Sequence, residues 1–176
     1  KARGAGFCSA AVLAPRIVLT AAHCVAEAAT TRVHFRDGGG APVLLAVRRI
    51  ERHPLYRADA VEARARSVDL ALVETAEPLP GSFSAASLAD APAEVGAEFD
   101  VAGFGVTREG VAASSGALRS ARLRLRAPLS NLLLWLEGDG AGACTGDSGA
   151  PVFSEGTLAG VVAFAEGAAG RGCGKL

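Results

Sequence analysis

The chain has 176 residues, 50% hydrophobic and 20% charged, with 18 basic and 18 acidic side chains and a formal net charge of zero. That balance gives no reason to expect nucleic acid or an acidic membrane surface as partner, and 22 glycines with 5% aromatics exclude a fibrous or disordered chain and predict an aliphatic core with many tight turns. No apolar run approaches the ~18 residues of a membrane span, and the opening KARGAGFCSA has no signal-peptide apolar segment, so the chain reads as a mature or trimmed product.

The apolar segments are short and regularly interrupted. In chain order they are AAVLAPRIVLTAA, RVHFR, APVLLAVRRI, DLALVE, EFDVAGFGV, LRSARLRLRA, NLLLWLE, APVF and LAGVVAFA. Each is of strand length and most are bounded by Gly, Pro, Asp or Ser, the spacing of an all-β sandwich or barrel. Arg122 to Arg126 alternate arginine with leucine, which predicts a strand with one wet face; that face is read as solvated rather than as an anion-binding stripe. Between DLALVETAEP and EFDVAGFG, the stretch LPGSFSAASLADAPAEVGA has no sustained periodicity and predicts a connection between two strand-rich halves, with a boundary near 80–92. Cys8 and Cys24 fall in the first half, Cys144 and Cys173 in the second. The absence of any C-x-x-C pair disfavours a zinc or thioredoxin-type site, so two disulfides and an oxidising compartment are expected, and no metal.

Three local signals gain meaning only together. LTAAHC places His23 after an apolar run, VDLALV places Asp69 at the head of another, and CTGDSGAP holds Ser148 among small residues. A serine hydroxyl is a weak nucleophile at neutral pH and needs a base within hydrogen-bond reach, and an imidazole can accept its proton and later return it to a leaving group. A carboxylate on the far ring nitrogen selects the useful tautomer, while backbone N–H groups of a glycine-rich turn, here Gly146 and Ser148 itself, can point at a developing oxyanion. His34 and His53 sit in no motif and are read as bystanders.

LTAAHC, DLALV and GDSG, in the order His, Asp, Ser, resemble the trypsin-like (chymotrypsin-fold) serine proteases. The resemblance extends to Gly103-Phe104-Gly105, where the family commonly has Gly-Trp-Gly, and to LAGVVAFA near the C-terminus, so it covers nearly the whole chain. It implies an all-β fold of two antiparallel six-stranded β-barrels with the active site in the cleft between them. Residues 1–85 would carry His23 and Asp69, and residues 86–176 would carry Ser148 and the specificity pocket. It also implies disulfides Cys8–Cys24 and Cys144–Cys173, a catalytic triad of His23, Asp69 and Ser148, an oxyanion hole from Gly146 and Ser148, no cofactor, and a protein or peptide substrate. Secretion or a periplasmic location follows from the family and the cysteines.

Several positions depart from the family's pattern. Gly142 stands at the base of the primary pocket, where an aspartate confers preference for Arg and Lys; with Ala143 beside it the pocket is expected to be uncharged, provided Glu166 near the rim does not turn inward. Ala163, Phe164 and Ala165 replace the familiar Ser-Trp-Gly of the pocket wall. Asp147 is the carboxylate that in relatives orders the oxyanion loop by pairing with a newly cut Ile-Val amino terminus. This chain opens Lys1-Ala2-Arg3 and holds no Ile-Val-Gly-Gly, so missing terminal segments are expected. The alternative to an active endopeptidase is a catalytically silent binding protein, or a zymogen-like form, on the same fold. A purely structural β domain with a chance triad is the third reading. Alanine- and arginine-heavy usage with two lysines hints at a short bacterial member.

Overall fold

The computed structural model describes residues 6–60, 63–128, 130, 132–138, 140–165 and 173. Ten strands form two antiparallel sheets. β1 (Ala11–Ala14), β2 (Ile17–Thr20), β3 (Arg32–Arg36), β4 (Pro42–Arg52) and β5 (Ala71–Thr75) make the first, in the order β1-β2-β5-β4-β3. β6 (Glu98–Gly103), β7 (Arg119–Pro128), β8 (Leu134–Glu137), β9 (Pro151–Ser154) and β10 (Thr157–Val161) make the second, in the order β10-β9-β6-β7-β8. Among the described residues helix is confined to two single 3-10 turns, Ala22–Cys24 and Ala112–Ser114.

The all-β expectation matches these sheets; the expected six strands per barrel do not. Each sheet has five among the described residues. One long strand does two jobs in the first: β4 pairs through Pro42–Ala46 with β3 and through Val47–Arg52 with β5, the register shifting between Val47 and Arg49. Outside these strands the described residues of each half hold turns and the irregular connection, with no further alternating run to extend a ladder.

Two cores sit inside the sheets. Val18, Val47, Ala71, Val73 and Leu79 fill the first; Phe99, Val101, Leu123, Leu125 and Val152 fill the second. Full burial of a side chain such as Phe99 or Leu125 stabilises by about 1.5–3 kcal/mol. The β7 alternation is resolved as expected: Leu123 and Leu125 are buried, and the arginines face water. They are ion-paired across the ladder, Arg122 with Asp100, Arg124 with Glu98 and Arg126 with Glu137, so cross-strand charge pairing accounts for the stripe.

The connection is tied to both sheets. Leu79 N–H donates to Pro15 O and Ala86 N–H to Val12 O in the first half; Ala89 N–H donates to Leu158 O and Leu158 N–H to Ser87 O in the second. The chain therefore crosses between sheets at Ala86 to Leu88. Cys8 is bonded to Cys24 and Cys144 to Cys173, with Cα separations of 6.1 and 4.4 Å. Closing a loop of this size in the unfolded chain contributes about 3 kcal/mol. None of the helices of the described residues is long and apolar enough to cross a membrane.

Candidate active site

Strand pairing brings His23 and Asp69 together. β2 and β5 are antiparallel with Thr20 opposite Ala71, so the end of one lies beside the start of the other. His23 follows β2 on the 3-10 turn, and Asp69 lies just ahead of β5. The His23 ring Nδ1 is 2.6 Å from Asp69 Oδ2, and the His23 backbone N–H donates to Asp69 Oδ1 at 2.9 Å. Burial alone would push the Asp69 carboxyl up. The ring and backbone N–H groups of His23, its positive charge and the Ala22 N–H outweigh burial and hold the carboxyl below its usual value. The bond to Asp69 raises the imidazole pKa; burial opposes it and the carboxylate charge adds to it, leaving His23 above its ordinary 6.5. A carboxylate on Nδ1 makes that nitrogen the donor and leaves Nε2 with a lone pair when the ring is neutral.

Ser148 stands on the turn before β9. Among the described residues no hydrogen bond joins its Oγ to His23, whose Nε2 has Cys24 Sγ at 3.7 Å. In free hydrolases this bond is often long and tightens only around substrate. Cys8, His23 and Cys24 crowd within 4.8 Å, but the two sulfurs are joined to one another. A disulfide offers no thiolate, so the cluster lacks a metal-ligand set.

The backbone of the turn is more informative than the serine hydroxyl. Asp147 N–H donates to Cys144 O, Gly149 N–H to Val162 O and Ala150 N–H to Asp147 O. Among the described residues three amides of the turn, Thr145, Gly146 and Ser148 N–H, have no acceptor, and the last two flank Asp147. The directions of these two are nonetheless set. In a trans peptide the C=O and N–H point oppositely; Thr145 O accepts from Val106 N–H at 2.9 Å, and Asp147 O accepts from Ala150 N–H at 2.8 Å. Gly146 holds φ +96° and Gly149 φ +78°, a region open to glycine at little cost. A Cβ on Gly149 would also lie 2.9 Å from Ala21 N, so the turn packs directly against the backbone that leads to His23.

Asp147 lies beneath this turn. Its Oδ1 accepts from Gly105 N–H at 2.8 Å and its Oδ2 from Cys144 N–H at 2.9 Å. The glycines of Gly103-Phe104-Gly105 make the space: a Cβ on Gly105 would sit 2.5 Å from the Asp147 carboxyl carbon. Gly105→Ala is therefore expected to destabilise the protein by about 1–3 kcal/mol. The measurement is thermal melting, and an unchanged Tm would contradict this fit.

A cavity of about 230 Å³ opens between β8 and the segment after β10. Ala143, Ala163 and Phe164 line it together with Val162, Trp135 and Asp69. Phe164 is 51% exposed and stands at the rim. Gly142 and Ala165 lie outside the lining, and among the described residues the only charged side chain in the lining is Asp69. Glu166 lies outside the described residues. His34 and His53 are exposed and away from the cavity; His53 Nδ1 accepts from Leu55 N–H in a turn.

Sequence reasoning missed three contributors. Leu132 to Leu136, including Trp135, line the same cavity as Ala163, although NLLLWLE reads only as a strand. Tyr56 packs against the first core and feels the Asp69 charge, and burial followed by that charge raises its pKa. Ser9 is buried at 4% exposure and bonded to the Gly146 carbonyl. Its only sequence signal is a position one residue after Cys8.

Residues 1–175 match the family model described as Trypsin. The chain is similar to Trypsin 5G1 of Aedes aegypti, 32% identical over 94% of this chain and 68% of that protein, and to Trypsin eta of Drosophila melanogaster, 32% identical over 92% and 68%. It is also 31% identical to Transmembrane protease serine 9 of Rattus norvegicus, over 93% of this chain and 18% of that protein. Among solved structures it is similar to mouse neuropsin, a serine protease, with TM-score 0.77 and 22% identity over 94% of this chain and 80% of that one. Human heparin binding protein gives TM-score 0.73 at 24% identity, over 94% and 78%. At those identities the two structures carry the fold alone.

Proposed function

The chain belongs to the trypsin family and is a serine endopeptidase; on that premise we propose that Ser148 is its nucleophile, His23 its general base and acid, and Asp69 the carboxylate that orients His23. Ser148 Oγ attacks the scissile carbonyl carbon as its proton passes to His23 Nε2. The C–N bond then breaks, the amine leaves with the proton from His23, and an acyl group remains on Ser148. Water, deprotonated by His23, attacks the acyl carbon; the acid product leaves and Ser148 regains its proton. Gly146 and Ser148 N–H groups stabilise the negative oxygen of each tetrahedral intermediate.

The observation that carries this reading is the pair of amides without acceptors on either side of Asp147, each aimed by a carbonyl that is itself bonded. A silent or zymogen-like form would be expected to have turned those amides onto acceptors of its own. The Asp147 carboxylate, held by Gly105 and Cys144 N–H groups, is the element we assign to ordering this loop. Gly142, Ala143, Ala163, Phe164 and Ala165 are assigned to the primary pocket; Ala143, Ala163 and Phe164 line the cavity, and none of the five carries a charge, so preference falls on small or apolar side chains rather than Arg or Lys.

Residues 1–85 and 86–176 are proposed as the two lobes. Secretion or a periplasmic location, a peptide or protein partner and the absence of nucleic-acid binding go with the disulfides and zero net charge. Codon-linked composition is the sole ground for a short bacterial member, and the relatives named above are insect and mammalian.

A labelled fluorophosphonate and a peptide-library cleavage profile test the reading together. Expected are one covalent adduct, on Ser148, and cleavage after small or apolar residues. Absence of an adduct overturns the nucleophile assignment; dominant cleavage after Arg or Lys overturns the neutral pocket while leaving the nucleophile in place.

A further inference from the structure

We infer that Ser9 is a positioning residue for the oxyanion turn, its hydroxyl holding the Gly146 carbonyl and with it the peptide plane that links the Gly146 donor to Asp147 and the Ser148 donor. The inference rests on the roles proposed above for Ser148 and Gly146, and adds a residue outside the triad that keeps them in register.

Ser9 is 4% exposed and every polar atom it has is engaged. Its Oγ donates to Gly146 O at 3.0 Å and accepts from Phe104 N–H at 3.1 Å. Its backbone N–H donates to Ser148 O at 2.8 Å, and its carbonyl accepts from Thr20 Oγ1 at 2.8 Å. Three of these bonds cross from the first half of the chain to the second. The preceding residue, Cys8, is joined to Cys24 beside His23. Ser9 therefore sits on a short covalent path to the base while gripping the turn that carries the nucleophile.

The hydroxyl does something that the backbone bond cannot. The Ser9 N–H fixes the carbonyl of Ser148, downstream of the reactive atoms. Gly146 lies upstream, and because glycine has no Cβ both peptide planes flanking it rotate at small cost. The plane before it is pinned by Val106 N–H on Thr145 O. The plane after it is pinned on one side by Asp147 N–H to Cys144 O and on the other by Ser9 Oγ on Gly146 O. Removing the hydroxyl leaves the buried Gly146 carbonyl and Phe104 N–H each one partner short, and a turn with a flexible centre is the part free to move.

The test compares full-length wild type, Ser9→Ala and Ser9→Thr. It uses a fluorogenic peptide selected from the cleavage library, with rates divided by the concentration of Ser148 titrated with fluorophosphonate. Outright loss of one oxyanion donor costs 10²–10³ in kcat, so loosening one is expected to lower kcat by about tenfold with KM changed by less than about twofold. A peptide aldehyde of the same sequence, which places an oxyanion in the hole, is expected to bind about tenfold more weakly. Ser9→Thr keeps the hydroxyl and should restore both readouts. A merely structural role would lower the titrated fraction and leave kcat per site and aldehyde affinity unchanged, and that result overturns the inference; so does failure of Ser9→Thr to rescue a folded protein. If Ser9→Ala does not fold, Ser9→Gly carries the same expectation. A wild type that takes no fluorophosphonate overturns the Ser148 reading itself, whereas a labelled wild type with an indifferent Ser9→Ala overturns only the role of Ser9.

Discussion

Ser148→Ala lowers kcat by about 10⁶-fold on any peptide the wild type cleaves, and leaves the melting temperature close to that of the wild type. The reasons are separable. Chemically, alanine has no oxygen to form the acyl intermediate, and what survives is the contribution of the amide donors and of substrate binding. Structurally, the Ser148 hydroxyl makes no hydrogen bond to His23, so its deletion strands no ring nitrogen. The bonds that organise the turn come from the backbone of Ser148, whose carbonyl accepts from Ser9 N–H, and alanine keeps them. Active-site titration, steady-state rates and thermal melting on the same preparation are the measurements. Activity within about tenfold of wild type would remove Ser148 from the mechanism.

Asp69→Asn is expected to lower kcat by about 10⁴-fold and to shift the pH profile downward. An asparagine amide can present its NH₂ to Nδ1, which then becomes the acceptor, and the proton moves to Nε2, where the base needs a lone pair. The pH dependence follows from the cause of the His23 shift. The bond to Asp69 is the largest influence raising the ring above 6.5, and the neutral ring is the form that can act as the proposed base. In the wild type kcat/KM therefore climbs with pH through a midpoint above 6.5. In the variant the raising influences are gone and burial still lowers the pKa, so any residual activity climbs through a lower midpoint. A midpoint that stays in place would mean that Asp69 does not govern His23.

Stability follows the same pair with opposite limits. The raised imidazole contributes stability that is fully present below pH 6.5 and is lost as pH rises through its folded value. The lowered carboxyl contributes stability present above pH 3.8 and lost as pH falls through its folded value. The pair thus stabilises most between those limits. Asp69→Asn should flatten the melting temperature across that window, modestly because the imidazole is 40% exposed and screened by water.

Much of the site could be read from local chemistry. Alternation in β7 depends on side chains two residues apart, so Leu123 and Leu125 announce their burial without any tertiary information. His23, Asp69 and Ser148 carry recognisable neighbours in sequence, and the cysteines divide into two pairs without need of coordinates. Strand number was less legible, because a strand exists only where a partner continues the ladder. β4 spends its length on two partners, a division that no periodicity within Pro42–Arg52 announces.

Residue types, their order and their periodicity determined the all-β class and the cysteine framework and pointed to the trio proposed as reactive, since each of these is a property of nearby residues or of chemistry that only certain side chains can perform. The tertiary structure alone decided which amides of CTGDSGAP remain without acceptors, that Trp135 and Ala163 line one cavity, and that the unremarkable Ser9 grips Gly146 from 137 residues away. Hydrogen-bond direction and enclosure arise between segments distant along the chain, and a single serine among small residues bears no mark of the carbonyl it will meet.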